Sequence, residues 1–146
     1  MKREVQERIE TELEVKSYIQ NLRYALDNGA HIEFQMHRLV DDYREERYTN
    51  QYTVENLFPN EKLSDALKRE LRTLTVENYM RTVEDLRFPN RSEMREFGKV
   101  YNGIEDVYIK IRVELLGNIG RSTTFVMSFH FAQKPFVPEM FPYKKR

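Results

Sequence analysis

Asn102-Gly103 separates two stretches, REFGKVY and IEDVYIKIRVELL, that are both suited to strands. An Asn-Gly pair adopts positive φ at both central positions of a tight turn at little cost, so it predicts a β-hairpin more sharply than any other short-range signal in the chain. After the turn, Val107, Ile109, Ile111, Val113 and Leu115 alternate with Asp106, Tyr108, Lys110, Arg112 and Glu114. The first set is expected to face a core and the second to face outward. Gly117 to Ser122 reads as a turn. Thr123 to Phe131 alternates again, with Phe125, Met127, Phe129 and Phe131 on one side and Val126, Ser128 and His130 on the other. The expected outcome is a three-stranded antiparallel meander.

The preceding half reads mainly as helix. Val5, Ile9, Leu13, Ile19, Leu22 and Leu26 recur at roughly helical spacing, predicting an amphipathic helix from about Arg3 to Asn28 that stops at Asn28-Gly29. Its acidic first half is free to project into solvent. Ile32, Phe34 and Met36 then alternate with His31, Glu33, Gln35 and His37, as in a short strand. Val40 to Tyr52 is polar and tyrosine-rich, with no clear period. Pro59-Asn60 followed by Leu63, Ala66, Leu67, Leu71 and Leu74 predicts a second helix, Thr75 to Asn78 a further helical turn, and Arg87 to Ser92 a loop. Nothing repeats and no low-complexity linker divides the chain. Residues 1–146 are therefore expected to form a single α+β domain, with an N-terminal helix and one or two further helices packed on a C-terminal antiparallel sheet.

Composition narrows the chemistry. The chain has 146 residues, no cysteine and 3 histidines, so neither a disulfide framework nor a thiolate metal site is open to it. No carboxylates stand at a spacing that would complete a zinc site with the histidines, and no glycine-rich phosphate loop or Gly-x-Ser-x-Gly elbow occurs. No cofactor is expected. The N-terminus, MKREVQERIETELEV, lacks an apolar leader segment, and no stretch is long enough to span a bilayer. A cytoplasmic location without membrane association follows as an expectation. The net charge is zero, yet from Arg87 onward 11 lysines and arginines stand against 6 acids. Phosphate binding depends on such local excess rather than on the whole-chain sum.

Read as a two-residue turn, Asn102-Gly103 places Lys99 opposite Asp106, Phe97 opposite Tyr108 and Arg95 opposite Lys110. The outward face then gathers Arg95, Lys99, Tyr108, Lys110, Arg112, Ser128 and His130. Cations there could hold a phosphate and stabilise developing charge, while an imidazole that titrates near neutrality exchanges a proton. On alternation alone, an ordinary solvated sheet face accounts for the same residues.

Several stretches add to this reading: LTVENY (74–79), EFGKVYNGIEDVYIKIRV (96–113), VMSFHFAQKPF (126–136) and the closing FPYKK. Together they resemble the MqsR-like group of small bacterial toxins within the RelE-type, or BECR, ribonuclease superfamily. The resemblance covers roughly Val15 to the C-terminus and is specific over about the last fifty residues. It implies a metal-independent endoribonuclease that cleaves mRNA by attack of a 2′-hydroxyl on the adjacent phosphate, held inactive by a cognate antitoxin protein. Carried onto matching positions, it assigns Lys99 and Lys110 to phosphate and transition-state charge, His130 to general acid or base, Tyr108 to positioning or proton transfer, and Ser128 to support. Arg112 joins Arg95 as a substrate contact by periodicity alone. A non-catalytic module binding a protein or nucleic acid through the same face is the alternative.

Overall fold

The computed structural model describes residues 5–37, 45–116 and 121–145. The elements, in chain order, are β1 (Val5–Arg8), α1 (Glu12–Asp27), β2 (His31–Phe34), α2 (Asn50–Leu57), α3 (Leu63–Arg72), β3 (Tyr79–Asp85), β4 (Met94–Tyr101), β5 (Glu105–Leu116) and β6 (Arg121–Phe131). Single 3₁₀ turns occur at Glu46–Tyr48, Val76–Asn78 and Pro138–Met140. Six strands form one mixed sheet in the order β1-β3-β4-β5-β6-β2, antiparallel throughout except for the β2–β6 pair. The fold is α+β, and the foreseen β4-β5-β6 meander lies at its centre. No helix among the described residues is long and apolar enough to cross a membrane.

The first helix starts nine residues later than the sequence reading placed it. Thr11 accepts a hydrogen bond from the Glu14 backbone N–H, and the Glu14 carboxylate accepts one from the Thr11 N–H. This capping box satisfies two amide donors that a helix start otherwise leaves open. Residues 5–8, upstream of the cap, pair with β3 as an edge strand instead. Val5, Ile9 and Leu13 are consequently exposed, and the buried stripe of α1 is Val15, Ile19, Leu22 and Leu26. Besides β1, two elements had not been anticipated, α2 and β3. The aperiodic Val40–Tyr52 stretch leads into α2, although its first residues, to 44, lie outside the described residues.

All three helices cover one face of the sheet. Leu22 and Leu26 of α1, Val54 of α2, and Leu67 and Leu71 of α3 join Tyr79, Phe97, Ile109, Ile111, Val126 and Phe129 in one buried cluster. Burying side chains of this size contributes about 1.5–3 kcal/mol each, so this layer fixes which face of each strand looks outward.

Two single-residue insertions set that parity. Asn102 and Gly103 both take positive φ, 54° and 77°, and the Ile104 N–H donates to the Tyr101 carbonyl at 3.2 Å, as the dipeptide predicts. Ile104 then adds one residue before the ladder begins, so Tyr101 pairs with Glu105, Lys99 with Val107 and Phe97 with Ile109. The two-residue register would have placed the core residue Phe97 opposite the outward Tyr108. A slip of one residue moves every side chain of a strand to the other face, and burial of Phe97 against Ile109 decides the matter. The second insertion is a bulge at Met127, since Lys110 pairs with Ser128 but Ile111 with Val126. Val126 is therefore a core residue and Phe125 lies opposite Arg112, the reverse of simple alternation. Asn50 clasps this bulge: its side-chain amide donates to the carbonyls of Met127 and Gln35, and its oxygen accepts the Phe129 N–H at 2.9 Å.

Candidate active site

On the face away from the helices, cross-strand pairing sets out two rows. Arg81 of β3 stands opposite Glu96 of β4, Glu96 opposite Lys110 of β5, and Lys110 opposite Ser128 of β6. In the adjacent row Gly98 faces Tyr108 and Tyr108 faces His130. Directly opposed side chains share a face, and diagonal neighbours stand about 7–8 Å apart. Lys110 and His130 are such diagonal neighbours, close enough to serve one phosphodiester.

These two rows line a cleft of about 460 Å³ together with a wall from residues 132–140. The Tyr108 and His130 rings lie 5.2 Å apart between centroids, inclined at 34°. His130 Nδ1 lies 2.9 Å from the Phe131 carbonyl oxygen. A carbonyl only accepts, so this contact places the proton on Nδ1. Ser128 and His130 are nearly enclosed, at 3% and 7% exposure. Arg81 is held from both sides: its Nε donates to Glu96 at 2.9 Å and its guanidinium pairs with Glu7 at 2.6 Å. Burial works to lower its pKa, but the hydrogen bond it donates to Glu96 and the negative charges of Glu96 and Glu7 together outweigh that and raise it above the ordinary value, so Arg81 is a permanent, fixed cation at the cleft.

The structure thus brings together Tyr108, Lys110, Ser128 and His130, and separates three other candidates from them. Because of the extra loop residue, Lys99 and Arg95 lie on the helix-covered face, which corrects the expectation that they share the outward one. Lys99 hydrogen-bonds Thr73 Oγ1, sits 4.0 Å from a Glu70 oxygen and lies 5.1 Å from the Tyr101 ring centroid. Burial lowers its pKa, and Glu70 opposes the change. Arg95 donates to the buried Glu10 carboxylate at 2.8 Å, with its guanidinium 4.3 Å over the Tyr18 ring. Arg112 does project from the outward face, one pleat beyond Lys110, but it pairs with Glu114 and stacks 4.4 Å over Phe125 beside a separate small depression. Arg81 and Glu96 are cleft residues that sequence reasoning missed. Arg81 lies on the unforeseen β3, and Glu96 was turned inward by the assumed register. A signal for β3 was present in the short run Met80 to Asp85, between a helical turn and a loop.

The wall of the cleft comes from the segment after β6. Its path is tied to β5 at Asp106, whose carbonyl accepts the Ala132 N–H at 2.9 Å and whose carboxylate accepts the Phe136 N–H at 2.8 Å. The Phe136 and Phe141 rings then settle on the bare Cα of Gly98. A Cβ at that position would meet Phe136 Cε2 at 2.8 Å and Phe141 Cζ at 2.9 Å. Gly98→Ala is therefore expected to displace the wall and destabilise the fold by about 1–3 kcal/mol. Thermal melts would read the loss, and an unchanged melting temperature would refute this packing.

Comparison with protein-family models, curated proteins and solved structures returns no match to this chain.

Proposed function

We propose that this chain is a metal-independent endoribonuclease of the MqsR-like, RelE/BECR type, acting on mRNA as the toxin of a toxin–antitoxin pair. The observation that supports this reading most is the convergence of Tyr108, Lys110, Ser128 and His130 in one cleft beside the fixed Arg81. The helices lie on one sheet face and leave the polar cleft on the other open to a substrate. Lys110 and Arg81 would hold the scissile phosphate and stabilise the charge that develops on its oxygens. His130, oriented through Nδ1, exchanges the proton at Nε2, and the adjacent phenol of Tyr108 positions the strand or shares in proton transfer. A 2′-hydroxyl loses its proton and attacks phosphorus. The bond to the 5′-oxygen breaks, that oxygen leaves with a proton, and the products are a 2′,3′-cyclic phosphate and a 5′-hydroxyl.

The test is to incubate the purified protein with single-stranded RNA in EDTA and to analyse both new ends, alongside its expression in a growing bacterium. Cyclic phosphate and 5′-hydroxyl ends together with growth arrest are expected. If the protein neither cleaves RNA nor slows growth, the nuclease reading falls. Salt-sensitive binding without turnover would instead indicate a non-catalytic module on the same face.

A further inference from the structure

Outside the cleft, the outward sheet face carries a second pair of cations. Arg112 follows Lys110 by two residues on β5, so its Cα stands about 6.7 Å further along the same face. Its side chain is only 9% exposed. The guanidinium is fixed on two sides: Nη1 donates to the Glu114 carboxylate, and the central carbon lies 4.4 Å over the Phe125 ring. Its Nε is buried and has no hydrogen-bond partner among the described residues. Such a donor is costly to leave unmade, because burial removes the water that would satisfy it. Arg112 lines a depression of about 30 Å³, room for a water or for one oxygen of a larger group standing at the mouth.

Arg91, exposed on the loop between β3 and β4, lines the same depression. Two turns hold that loop: the Phe88 N–H donates to the Asp85 carbonyl and the Arg91 N–H to the Phe88 carbonyl, each at 3.0 Å. The Arg91 guanidinium carbon lies 4.2 Å over the Phe88 ring. Stacking of this kind orders the plane and leaves the donors at its edge open. The acids nearby are already engaged. Arg87 grips the Asp85 carboxylate at 3.0 and 2.9 Å, and Arg112 holds Glu114. Two ordered guanidinium groups thus border one depression, and what their forked donors match is the oxygen pair of an oxoanion such as phosphate.

We infer that Arg112 and Arg91 form a second phosphate site, separate from the cleft, that holds a neighbouring phosphate of the bound nucleic-acid strand. This rests on the ribonuclease reading, which supplies Lys110 and Arg81 as the first phosphate contact. The sugar–phosphate chain then runs along β5 from Lys110 toward Arg112. Contacts of this kind fix the register of a strand without reading its bases. A substrate that ends at the scissile linkage forgoes the second contact, so the site sets a minimum length for tight binding.

Fluorescence anisotropy with a 2′-O-methyl hexanucleotide, which has no 2′-hydroxyl to attack, reads binding apart from chemistry, and a 2′-O-methyl dinucleotide competing against it reads the cleft alone. The Arg91→Gln, Arg112→Gln double variant is expected to bind the hexanucleotide about tenfold more weakly. Its slope of log K against log salt should fall in magnitude by about 0.7, the loss of one phosphate contact on a single strand. Dinucleotide affinity should stay at the wild-type value. Arg91→Gln alone changes only an exposed side chain and should show part of the same loss, which keeps the test valid if the double variant melts early by circular dichroism. An unchanged slope and affinity in both variants, or an equal weakening of the dinucleotide, would overturn the second site and leave the nuclease reading standing. Arginine-dependent binding by a wild type that cleaves no RNA would support the site and remove only the nuclease reading.

Discussion

Replacing His130 by alanine is expected to slow metal-free RNA cleavage by about 10²–10⁴-fold, the usual contribution of a positioned general acid or base. The fold should survive, because the imidazole faces the cleft rather than the helix layer. Lys110→Ala is expected to produce a loss of similar order through the charge it places on the phosphate. Lys99→Ala provides the contrast. Family resemblance assigns Lys99 to the same phosphate, whereas the register of β4 turns it toward Thr73 and Glu70. It is therefore expected to retain cleavage near the wild-type rate and to show only a lowered melting temperature. Single-turnover rates on one defined oligonucleotide would separate the three variants. A collapse of activity in Lys99→Ala equal to that in Lys110→Ala would contradict the observed register.

The largest effect on stability is expected at Arg95. Glu10 is 4% exposed, and its carboxylate accepts hydrogen bonds from Arg95 and Thr82. Its backbone N–H donates to Tyr79 and its carbonyl accepts from Tyr143. Arg95→Ala leaves a buried carboxylate without its cation, which typically costs about 3–5 kcal/mol. For a chain of this length that corresponds to a fall in melting temperature on the order of 10 °C. The pH dependence has a definite sign. Burial alone would raise the Glu10 pKa, but the hydrogen bonds from Arg95 and Thr82 together with the positive charges of Arg95 and Arg8 outweigh it and hold the group below its ordinary value of 4.5. Stability from this carboxylate is thus complete above that ordinary value and is lost as pH falls through the depressed folded value. In Arg95→Ala the burial remains while the main opposing interaction is gone, so the acid limb of the stability curve should flatten. Urea unfolding across the acid range would test this, and parallel curves for the two proteins would refute the linkage.

Much of the sheet was legible because its signals are local. Asn-Gly dictated a turn, and the alternation of Val107 to Val113 assigned the faces of that part of β5 correctly. The failures arose where one residue was inserted between local signals. Ile104 leaves the Asn102-Gly103 turn intact yet reverses the faces of β4, and no propensity marks it as extra; only the match of Phe97 to Ile109 does, and that is a tertiary fact. Met127 acts in the same way on β6, but Ser128 and His130 lie beyond the bulge and kept the faces assigned to them. For this reason four of the seven candidate residues share the cleft, while the lysine and arginine of β4 do not. The early helix start failed for a different reason. Val5 and Ile9 continue the apolar period, but Thr11 with Glu14 is a stronger boundary than any periodicity upstream of it. Arg81 escaped notice because β3 is a short run whose second edge pairs with β1, a strand remote in sequence that itself read as helix.

The clasp that Asn50 makes around Met127 has a consequence for how such a sequence can drift. The amide reaches through from the helix layer to hold the one place where β6 changes parity, so buried phenylalanines and cleft residues are counted from the same mark. Loss of the codon for Met127 would join Val126 directly to Ser128, so that the same cross-strand pairs form a plain alternating ladder with Val126 still inward and Phe125, Ser128 and His130 still outward. Point substitutions can be absorbed on either side of that mark. A deletion there removes the bulge and leaves interior and cleft facing as they do, so lineages that keep the chemistry should vary in the presence of residue 127 as readily as in its identity.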